Sequence, residues 1–299
     1  MFEVRVPATS ANLGPGFDTL GMALNLYGCF VFEKNDGSQN AEHLALTAYA
    51  DMLDRLGTSG PSLAVRSEET IPIGKGLGSS AACIVAGVLA ACHVSGRMIG
   101  MDEILSSAAK IEGHPDNVAP ALLGGLVASG WQDGRIVTGR LPVADALSFA
   151  LLIPSHELPT KTARQVLPES VPFSDAVYNL SQLACSLSAL ADGDAALVRQ
   201  VFKDRLHQPY RFPLIEDARH LTALAREQGA LAVTLSGAGP ALFLIRRRGD
   251  RLDGLKNALS GSSNRWSLHL CDMDTNGAVL TERLQPESKK KASGLQPPF

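Results

Sequence analysis

Hydrophobic and polar residues follow two different periods along the chain, which predicts a mixed α+β fold. Short alternating or continuous apolar runs predict strands, and apolar residues that recur every three or four positions predict helices. The predicted strands are residues 2–7, 24–33, 63–67, 136–138, 148–153, 230–235, 241–245, 266–271 and 277–279. The predicted helices are residues 41–56, 81–92 with a start near Ser79, 101–112, 174–191, 194–202, 214–227 and 252–259.

A break in this pattern at residues 154–160 separates the predicted elements into two groups. We therefore predict an N-terminal domain over residues 1–155 and a C-terminal domain over residues 156–284. The lysine- and proline-rich residues 285–299 are predicted to be a disordered tail. With 299 residues, 45% hydrophobic and 19% charged, the chain is long enough for one large domain or two ordinary ones.

Composition argues against several classes of partner and compartment. A formal net charge of -3 and 5% aromatic residues give no reason to expect nucleic acid or an acidic membrane as a partner. The N-terminus lacks the apolar segment of a signal peptide, and the uncharged residues 76–92 are too few to span a membrane. Five scattered cysteines without a CxxC pair predict reduced thiols in a cytoplasmic protein.

The stretch from Pro72 to Ala82 predicts a phosphate-binding loop. Its glycines occupy alternate positions, and a small-residue helix follows, so backbone N–H groups and the positive end of the helix dipole can converge on one anion. The stretch fits neither the Walker pattern nor the dinucleotide fingerprint. An ordinary tight turn, with Ser79 or Ser80 capping the helix, is the alternative.

Three further segments carry candidate chemistry. The loop predicted at residues 8–21 contains Asn12 and Asp18, for which local turn chemistry is the favoured interpretation. The polar groups of residues 112–117 could bind Mg²⁺, clamp a substrate or transfer protons, or could simply end a helix in a Pro-Asp-Asn turn. The small-residue turn at 236–240 could support the glycine-rich loop or be an ordinary hairpin bend.

The motifs together resemble those of a known family. The three segments that carry the resemblance are Ser10-Ala11-Asn12-Leu13-Gly14-Pro15-Gly16-Phe17-Asp18, Glu112-Gly113-His114-Pro115-Asp116-Asn117-Val118-Ala119-Pro120 and His207-Gln208-Pro209-Tyr210-Arg211. With the loop at 72–82 and the turn at 236–240, they are similar to the GHMP small-molecule kinases and, within them, to the homoserine kinases. The resemblance extends to about residue 284. It implies an N-terminal domain like domain 2 of ribosomal protein S5, a C-terminal ferredoxin-like domain and an active site between them.

The resemblance also implies a set of site residues. ATP would be bound by Pro72, Gly74, Lys75, Gly76, Leu77, Gly78, Ser79 and Ser80. Mg²⁺ would be bound by Ser80 and Glu112, and the substrate by Asn12, Asp18, His114, Asn117, Arg164 and Arg211. Asn117 and Lys75 would be the catalytic residues.

The substrate residues that the resemblance implies suit a zwitterionic amino acid with a hydroxyl group. Arg164 and Arg211 would bind the carboxylate, and Asn12 and Asp18 the ammonium group. Asn117 would orient the hydroxyl, with its proton passing to a phosphate oxygen. Asp116 is the rival candidate for a general base.

The implied activity is phosphorylation of L-homoserine by ATP in threonine biosynthesis, by a homodimer. One alternative is a kinase for another small alcohol, such as threonine, mevalonate or a sugar, although a substrate without an amino-acid head group would leave Arg164 and Arg211 unexplained. A second alternative is a non-catalytic protein that senses an amino acid. The Ser80 and Glu112 pair argues against that alternative.

Overall fold

The computed structural model describes residues 1–35, 43–260 and 266–283. The sequence Gly37-Ser38-Gln39-Asn40 predicts a turn that lies outside these ranges. The first two residues of the helix predicted at 41–56 and the predicted tail also lie outside them. The strands of the described chain are β1 (Phe2–Ala11), β2 (Leu20–Lys34), β3 (Leu63–Glu69), β4 (Leu126–Gln132), β5 (Arg135–Leu141), β6 (Leu147–Pro154), β7 (Ala232–Leu235), β8 (Leu242–Arg247), β9 (Trp266–Cys271) and β10 (Val279–Glu282). The helices are α1 (Leu44–Arg55), α2 (Ser79–Ser95), α3 (Met101–Glu112), α4 (Pro115–Leu123), α5 (Thr160–Gln165), α6 (Phe173–Asp192), α7 (Ala195–Val201), α8 (Gln208–Arg211), α9 (Ala218–Glu227) and α10 (Asp253–Ser260), with a 3₁₀ turn at Phe212–Leu214.

The first sheet carries the helices of the N-terminal half of the chain. Its strand order is β10-β1-β2-β4-β5, with β3 also paired to β2, and all its pairs are antiparallel. Helix α2 lies against β1 and against α1, α3 and α4. Its small apolar residues are buried on most sides, as expected of a helix that lacks a polar face. This burial holds the start of α2, and so the glycine-rich loop, in place.

The second sheet has the ferredoxin-like arrangement that was expected. Its order is β7-β8-β6-β9, and helices separate β6 from β7 and β8 from β9 along the chain, which gives the β-α-β-β-α-β topology. The side chains of β6 point alternately into two different hydrophobic cores, one on each face of the second sheet. Phe149 and Leu151 belong to the large core that includes the first sheet, whereas Ala150 and Leu152 pack in a smaller core with residues of α9 and α10.

The strands do not divide at the predicted boundary of residue 155. Strand β6 precedes that boundary but pairs in the second sheet, and β10 comes from the end of the chain but pairs with β1 in the first. A continuous core joins residues of both sheets. The division into residues 1–155 and 156–284 remains a prediction, and these two strands would cross it.

Three of the differences between the predicted and the observed elements have a clear physical reason. The loop predicted at 8–21 is shorter, because residues 8–11 pair with residues 21–24 beyond a bulge at Pro7 and extend β1. The turn considered after Glu112 is instead helix α4, whose first residue is Pro115, a position where a missing N–H costs nothing. Helix α9 begins at Ala218 rather than residue 214, because the preceding residues form the 3₁₀ turn.

Candidate active site

A cavity of about 290 Å³ lies where the predicted site residues converge. The glycine-rich loop forms one end. The rest is formed by the loop between β1 and β2, the end of α3, the starts of α4 and α5, the last residue of α8 and the turn at residues 236–240. Its lining residues are Asn12, Asp18, Gly74, Gly76, Leu77, Gly78, Ser79, Ser80, Glu112, His114, Asp116, Asn117, Leu158, Pro159, Thr160, Arg164, Arg211, Gly237 and Ala238.

The glycine-rich loop is held by its carbonyl groups. Four successive carbonyls, those of residues 74–77, accept hydrogen bonds from Leu158 N, Ala241 N, Ser236 Oγ and Thr9 N, at 2.7–3.1 Å. By contrast, no N–H group of residues 76–80 donates a hydrogen bond to another group of the described chain. All five of these residues line the cavity, so this row of unpaired N–H groups is suited to an anionic ligand such as phosphate.

Left-handed backbone at alternate glycines produces this arrangement. Gly74, Gly76 and Gly78 have φ angles of 67°, 75° and 71°, a conformation that other residues adopt at a cost. Gly78 is also the N-cap of α2 and supplies no side chain to its free N–H groups. The alternative of a serine-capped turn is therefore wrong, and the helix start is left open to a ligand.

The turn at residues 236–240 joins β7 to β8 and also supports the glycine-rich loop, so the supporting interpretation is confirmed and the turn is more than an ordinary hairpin bend. Ser236 Oγ and Ala241 N donate to the loop, and Gly237 N donates to Ala11 O at 3.0 Å. A Cβ on Gly76 would lie 2.2 Å from Ser236 O. The two turns are therefore packed backbone to backbone.

Ser80 and Glu112 meet at the loop end of the cavity. Ser80 Oγ donates to Glu112 Oε2 at 2.7 Å, so the two oxygens are close enough to share one cation. Burial, with a further contribution from the charge of Asp116, raises the pKa of Glu112 above its ordinary value. The described residues contain no group of three or more His, Cys, Asp or Glu that could hold a metal ion. A cation here would therefore need phosphate oxygens and water as its other ligands, which is how Mg²⁺ is commonly bound.

A buried polar cluster at the start of α4 lies beside Gly78. Thr9 Oγ1 donates to Asn117 Oδ1 at 2.7 Å, which turns the Asn117 amide NH₂ toward Asp116 Oδ1, 3.3 Å away. His114 Nδ1 lies 2.6 Å from the same carboxylate oxygen. Burial opposes protonation of His114, but the hydrogen bond and charge of Asp116, together with Glu112, raise its pKa on balance.

Asn12 and Asp18 have different partners in the structure. Asn12 Nδ2 donates to Gly237 O and Asn12 Oδ1 accepts from Asp18 N, at 2.8 and 2.9 Å, so the expected turn chemistry is confirmed for Asn12. The Asp18 carboxylate forms two hydrogen bonds, of 2.9 and 3.1 Å, with the guanidinium of Arg164 on α5. Both side chains of this ion pair are a little over one-third exposed, so it faces the cavity from the solvent side.

Arg211 is the most deeply buried cation of the site, at 1% exposed. Its Nε donates to Ala163 O at 3.1 Å, and its Nη1 lies 3.3 Å from Gly237 O and 3.2 Å from His207 Nδ1. Within the described residues no carboxylate forms an ion pair with it. Burial and the charge of Arg164 lower the pKa of Arg211 to about 10. The site therefore contains a desolvated positive charge that an anionic ligand would stabilise.

Two predicted site residues do not line the cavity. The Lys75 ammonium group is 2.8 Å from Ser155 O and 2.7 Å from His156 O, and it donates to both. This lysine therefore ties the loop to the segment after β6, which disagrees with the predicted catalytic role. Pro72 precedes the lining residues and is absent from the cavity wall.

Sequence reasoning missed other residues that shape the site. Thr9 orients Asn117, yet it lies in a run of small residues that was interpreted as a loop. Leu158, Pro159 and Thr160 line the cavity at the start of α5, a six-residue helix with no clear period. A Pro-containing break in the pattern was the only signal for them.

Two family models match the chain, one in each half. The model described as the GHMP kinases N terminal domain matches residues 43–125, and the model described as GHMP kinases C terminal matches residues 186–263. The first match includes the glycine-rich loop and the polar cluster, and the second includes Arg211 and the turn at 236–240.

Similar proteins narrow the family further. The chain is 38% identical to the homoserine kinase of Clostridium botulinum (strain Langeland) over 295 residues, which covers 95% of this chain and 99% of that protein. It is 42% identical to the homoserine kinase of Moorella thermoacetica over 257 residues, covering 82% and 87% of the two chains. The chain belongs to the homoserine kinase family.

The fold agrees with this family assignment. The crystal structure of homoserine kinase from Cytophaga hutchinsonii superposes with a TM-score of 0.83 at 26% identity, covering 94% of this chain and 97% of that one. The family assignment confirms the GHMP kinase fold expected from the sequence. Among the described residues, no helix is both long and apolar enough to cross a membrane.

Proposed function

We propose that this member of the homoserine kinase family transfers the γ-phosphate of ATP to the hydroxyl oxygen of L-homoserine, forming O-phospho-L-homoserine for threonine biosynthesis. One contrast within the cavity carries the proposal. Among the residues that the structure describes, a row of N–H groups without partners lies at one end, and the buried guanidinium of Arg211, which has no carboxylate partner, lies at the other. The first suits a polyphosphate and the second a small carboxylate.

At the nucleotide end, the backbone of residues 74–80 would bind the phosphates. The N–H groups of residues 76–80, which have no partner among the described residues, and the N-terminus of the 17-residue helix α2 supply positive electrostatic potential without a charged side chain. Ser80 and Glu112 would hold Mg²⁺ beside these phosphates. When bound, the ion neutralises charge on the phosphate oxygens as the phosphoryl group is transferred.

At the acceptor end, the charges present match those of an amino acid. Arg211 and Arg164 would bind the carboxylate of homoserine, and Asp18 would accept hydrogen bonds from its ammonium group with Asn12 beside it. Asp18 and Arg164 pair with each other in this structure. Binding of the zwitterion would replace that ion pair with two new ones, so opposite charges remain paired throughout.

The hydroxyl group would lie between the two ends, near the start of α4. Asn117 is held by Thr9 and adjoins Gly78 of the glycine-rich loop, so its NH₂ group can orient the acceptor oxygen toward the phosphate. His114 and Asp116 form the wall around it. As the new O–P bond forms, the bond from the γ-phosphorus to the bridging oxygen breaks and ADP leaves.

The hydroxyl proton would pass to a phosphate oxygen. Asp116 Oδ1 already lies within hydrogen-bond distance of both His114 and Asn117, and the residue is only 2% exposed. We therefore assign Asp116 to positioning these two side chains rather than to accepting the proton. Positioning alone can lower a barrier by about 7 kcal/mol or more, so a strong base is not required.

A coupled assay of ADP release tests the function. The chain would be supplied with Mg²⁺-ATP and with L-homoserine, L-threonine, L-serine, mevalonate or galactose in turn. We expect turnover with homoserine, reduced about 100-fold in Asn117→Ala. Turnover with another alcohol and none with homoserine would overturn the substrate assignment. Homoserine binding in calorimetry without turnover of any alcohol would instead indicate an amino-acid sensor.

The oligomeric state and compartment are part of the same proposal. We propose a homodimer that uses the exposed apolar residues Phe173, Val177 and Leu180 of α6, which recur at helical spacing and are 49–85% exposed. Leu180→Glu should then change the mass measured by light scattering from dimer to monomer. A wild-type monomer, or a dimer that survives the substitution, would contradict this interface. No disulfide bond joins the cysteines of the described residues, which supports a cytoplasmic location.

A further inference from the structure

A buried chain of hydrogen bonds lies behind Arg211, on the side away from the cavity. It begins at Asp204, whose carboxylate is fully buried and accepts hydrogen bonds from the backbone N–H groups of Leu206, His207 and Gln208, at 2.6–3.0 Å. Asn179 Nδ2 donates to the same carboxylate at 3.0 Å. Asp204 therefore fixes the start of α8, the short helix that ends at Arg211.

His207 connects this helix start to Arg211. Its side chain is fully buried, with Nε2 2.8 Å from Gly14 O and Nδ1 3.2 Å from Arg211 Nη1. The ring also stacks on Phe17, with centroids 5.1 Å apart. A carbonyl oxygen can only accept and a guanidinium can only donate. The two partners therefore require a neutral imidazole with its proton on Nε2 and a lone pair on Nδ1.

The N–H groups of the Arg211 guanidinium fall into two sets, those bonded to the protein and those left for a ligand. Nε–H donates to Ala163 O, and the two N–H groups of Nη1 are directed to His207 Nδ1 and Gly237 O. Only the two N–H groups of Nη2 have no partner among the described residues. Because Arg211 lines the cavity, these two donors are the ones available to a carboxylate.

We propose that His207 is a positioning residue that, as the neutral Nε2–H tautomer, aims the guanidinium of Arg211 at the carboxylate of homoserine. The proposal rests on the proposed function, since it concerns how the same acceptor is held. A neutral acceptor at this position leaves the positive charge of Arg211 uncompensated and available to the ligand. A carboxylate side chain there would neutralise it.

The groups around His207 keep it neutral. Burial is the main cause that lowers the pKa of His207, and the charge of Arg211 lowers it further, against the opposing effects of Asp204, Gly14 O and Asp18. Protonation would place an N–H on Nδ1 opposite a guanidinium N–H and bring two cations to hydrogen-bond distance. The geometry and the charges thus favour the same tautomer.

Two substitutions separate positioning from a general structural role. In His207→Asn, Oδ1 takes the place of Nδ1 as an acceptor for Arg211, whereas in His207→Leu the acceptor is lost. We expect His207→Leu to raise the KM for homoserine about 10- to 100-fold, the range for one hydrogen bond to a charged group. Its kcat and its KM for ATP should stay within about threefold, and His207→Asn should restore most of the loss.

An NMR measurement on the full chain gives a readout that does not depend on activity. In protein labelled with ¹⁵N-histidine, with the His207 ring assigned by its absence in His207→Asn, we expect the Nε2–H pattern at pH 7.5 and still at pH 5.5, where exposed histidines are protonated. An imidazolium or an Nδ1–H tautomer at pH 7.5 would overturn the proposal. This result tests the tautomer even if His207→Leu does not fold, and the homoserine KM of His207→Asn then tests the positioning role.

The kinetic outcomes are equally distinct. If wild-type protein does not phosphorylate homoserine, the proposed function is wrong and the inference falls with it. If wild-type protein is active but folded His207→Leu keeps its homoserine KM within twofold, only the inference is wrong. If His207→Leu raises the KM for ATP and the KM for homoserine equally, and His207→Asn does not restore them, His207 has a merely structural role.

Discussion

The two ends of the cavity present different chemical groups, backbone at one end and charged side chains at the other. The nucleotide end is made of backbone, with three left-handed glycines, carbonyls bonded outward and N–H groups left free. The acceptor end is made of charged side chains from separate segments, namely Asp18, Arg164 and Arg211. A backbone site recognises a group common to all nucleotides, whereas side chains can be exchanged to suit one acceptor. The difference suggests why one fold can serve kinases for different small molecules.

The largest effect should come from adding a Cβ at the backbone end. In Gly76→Ala that atom would lie 2.2 Å from Ser236 O and 2.7 Å from Gly239 O, at a φ of 75°. Neither oxygen belongs to a flexible side chain, so the loop itself must move. We expect kcat/KM for ATP to fall at least about 1,000-fold, because the row of N–H groups is lost together. Steady-state kinetics measure the fall in kcat/KM, and thermal unfolding measures the effect of the loop's movement on stability.

Gly96→Ala is the matched control for this prediction. Gly96 has a φ of 63° and ends helix α2, and a Cβ there has no neighbour within 4 Å. It should cost about 1–2 kcal/mol of stability for the left-handed conformation, with kinetics within twofold of wild type. Similar kinetics for the two variants would show that the close approach at Gly76 is unimportant.

The next effect should come from the buried cation of the acceptor end. Arg211→Met should raise the homoserine KM about 100-fold, since it removes the desolvated partner of the carboxylate, and leave the ATP KM within threefold. Arg246→Met is the control, because Arg246 is also buried and donates to the carbonyls of Phe149 and Asp250. Both variants should lose stability, but only Arg211→Met should lose affinity for homoserine. A rise in ATP KM of the same size would contradict the division between the two ends.

The backbone end was predictable from the sequence in a way that the acceptor end was not. Alternate glycines before an uncharged helix specify a local geometry, and the structure confirms their unusual backbone conformation and the start of α2 at Ser79. By contrast, the contact of Arg164 with Asp18 joins residues 146 positions apart. No local pattern encodes such a contact. The acceptor residues were named only through the family resemblance.

Differences between prediction and structure have the same physical origin. A lysine within a phosphate loop predicts charge neutralisation by Lys75. Whether its ammonium group turns inward or outward depends on carbonyls at residues 155 and 156, about 80 residues away. Similarly, small residues 8–11 were interpreted as loop, although burial against β2 makes them a strand. Tertiary contacts override local preference in both cases.

A smaller effect is expected from the partly exposed ion pair. Arg164→Lys keeps the charge but loses the two parallel hydrogen bonds to Asp18, and we expect the homoserine KM to rise about 10-fold. The unfolding temperature should hardly change, because exposed ion pairs contribute about 0–1 kcal/mol. Arg248→Lys, which alters the exposed pair with Asp272, is the control and should change neither quantity. A KM increase as large as that of Arg211→Met would mean that burial does not distinguish the two arginines.

The smallest effect on turnover should come from the one charged side chain within the glycine-rich loop. If the nucleotide end acts through its backbone, removing the charge of Lys75 should leave kcat and the ATP KM within about threefold. Lys75→Met should nevertheless unfold more easily, by about 1–3 kcal/mol, because the two hydrogen bonds from the buried Lys75 ammonium group to the carbonyls of Ser155 and His156 are lost. Thermal unfolding beside steady-state kinetics separates these quantities. A 100-fold loss of kcat with unchanged stability would return Lys75 to the catalytic machinery and show that charge, as well as backbone, acts at the nucleotide end.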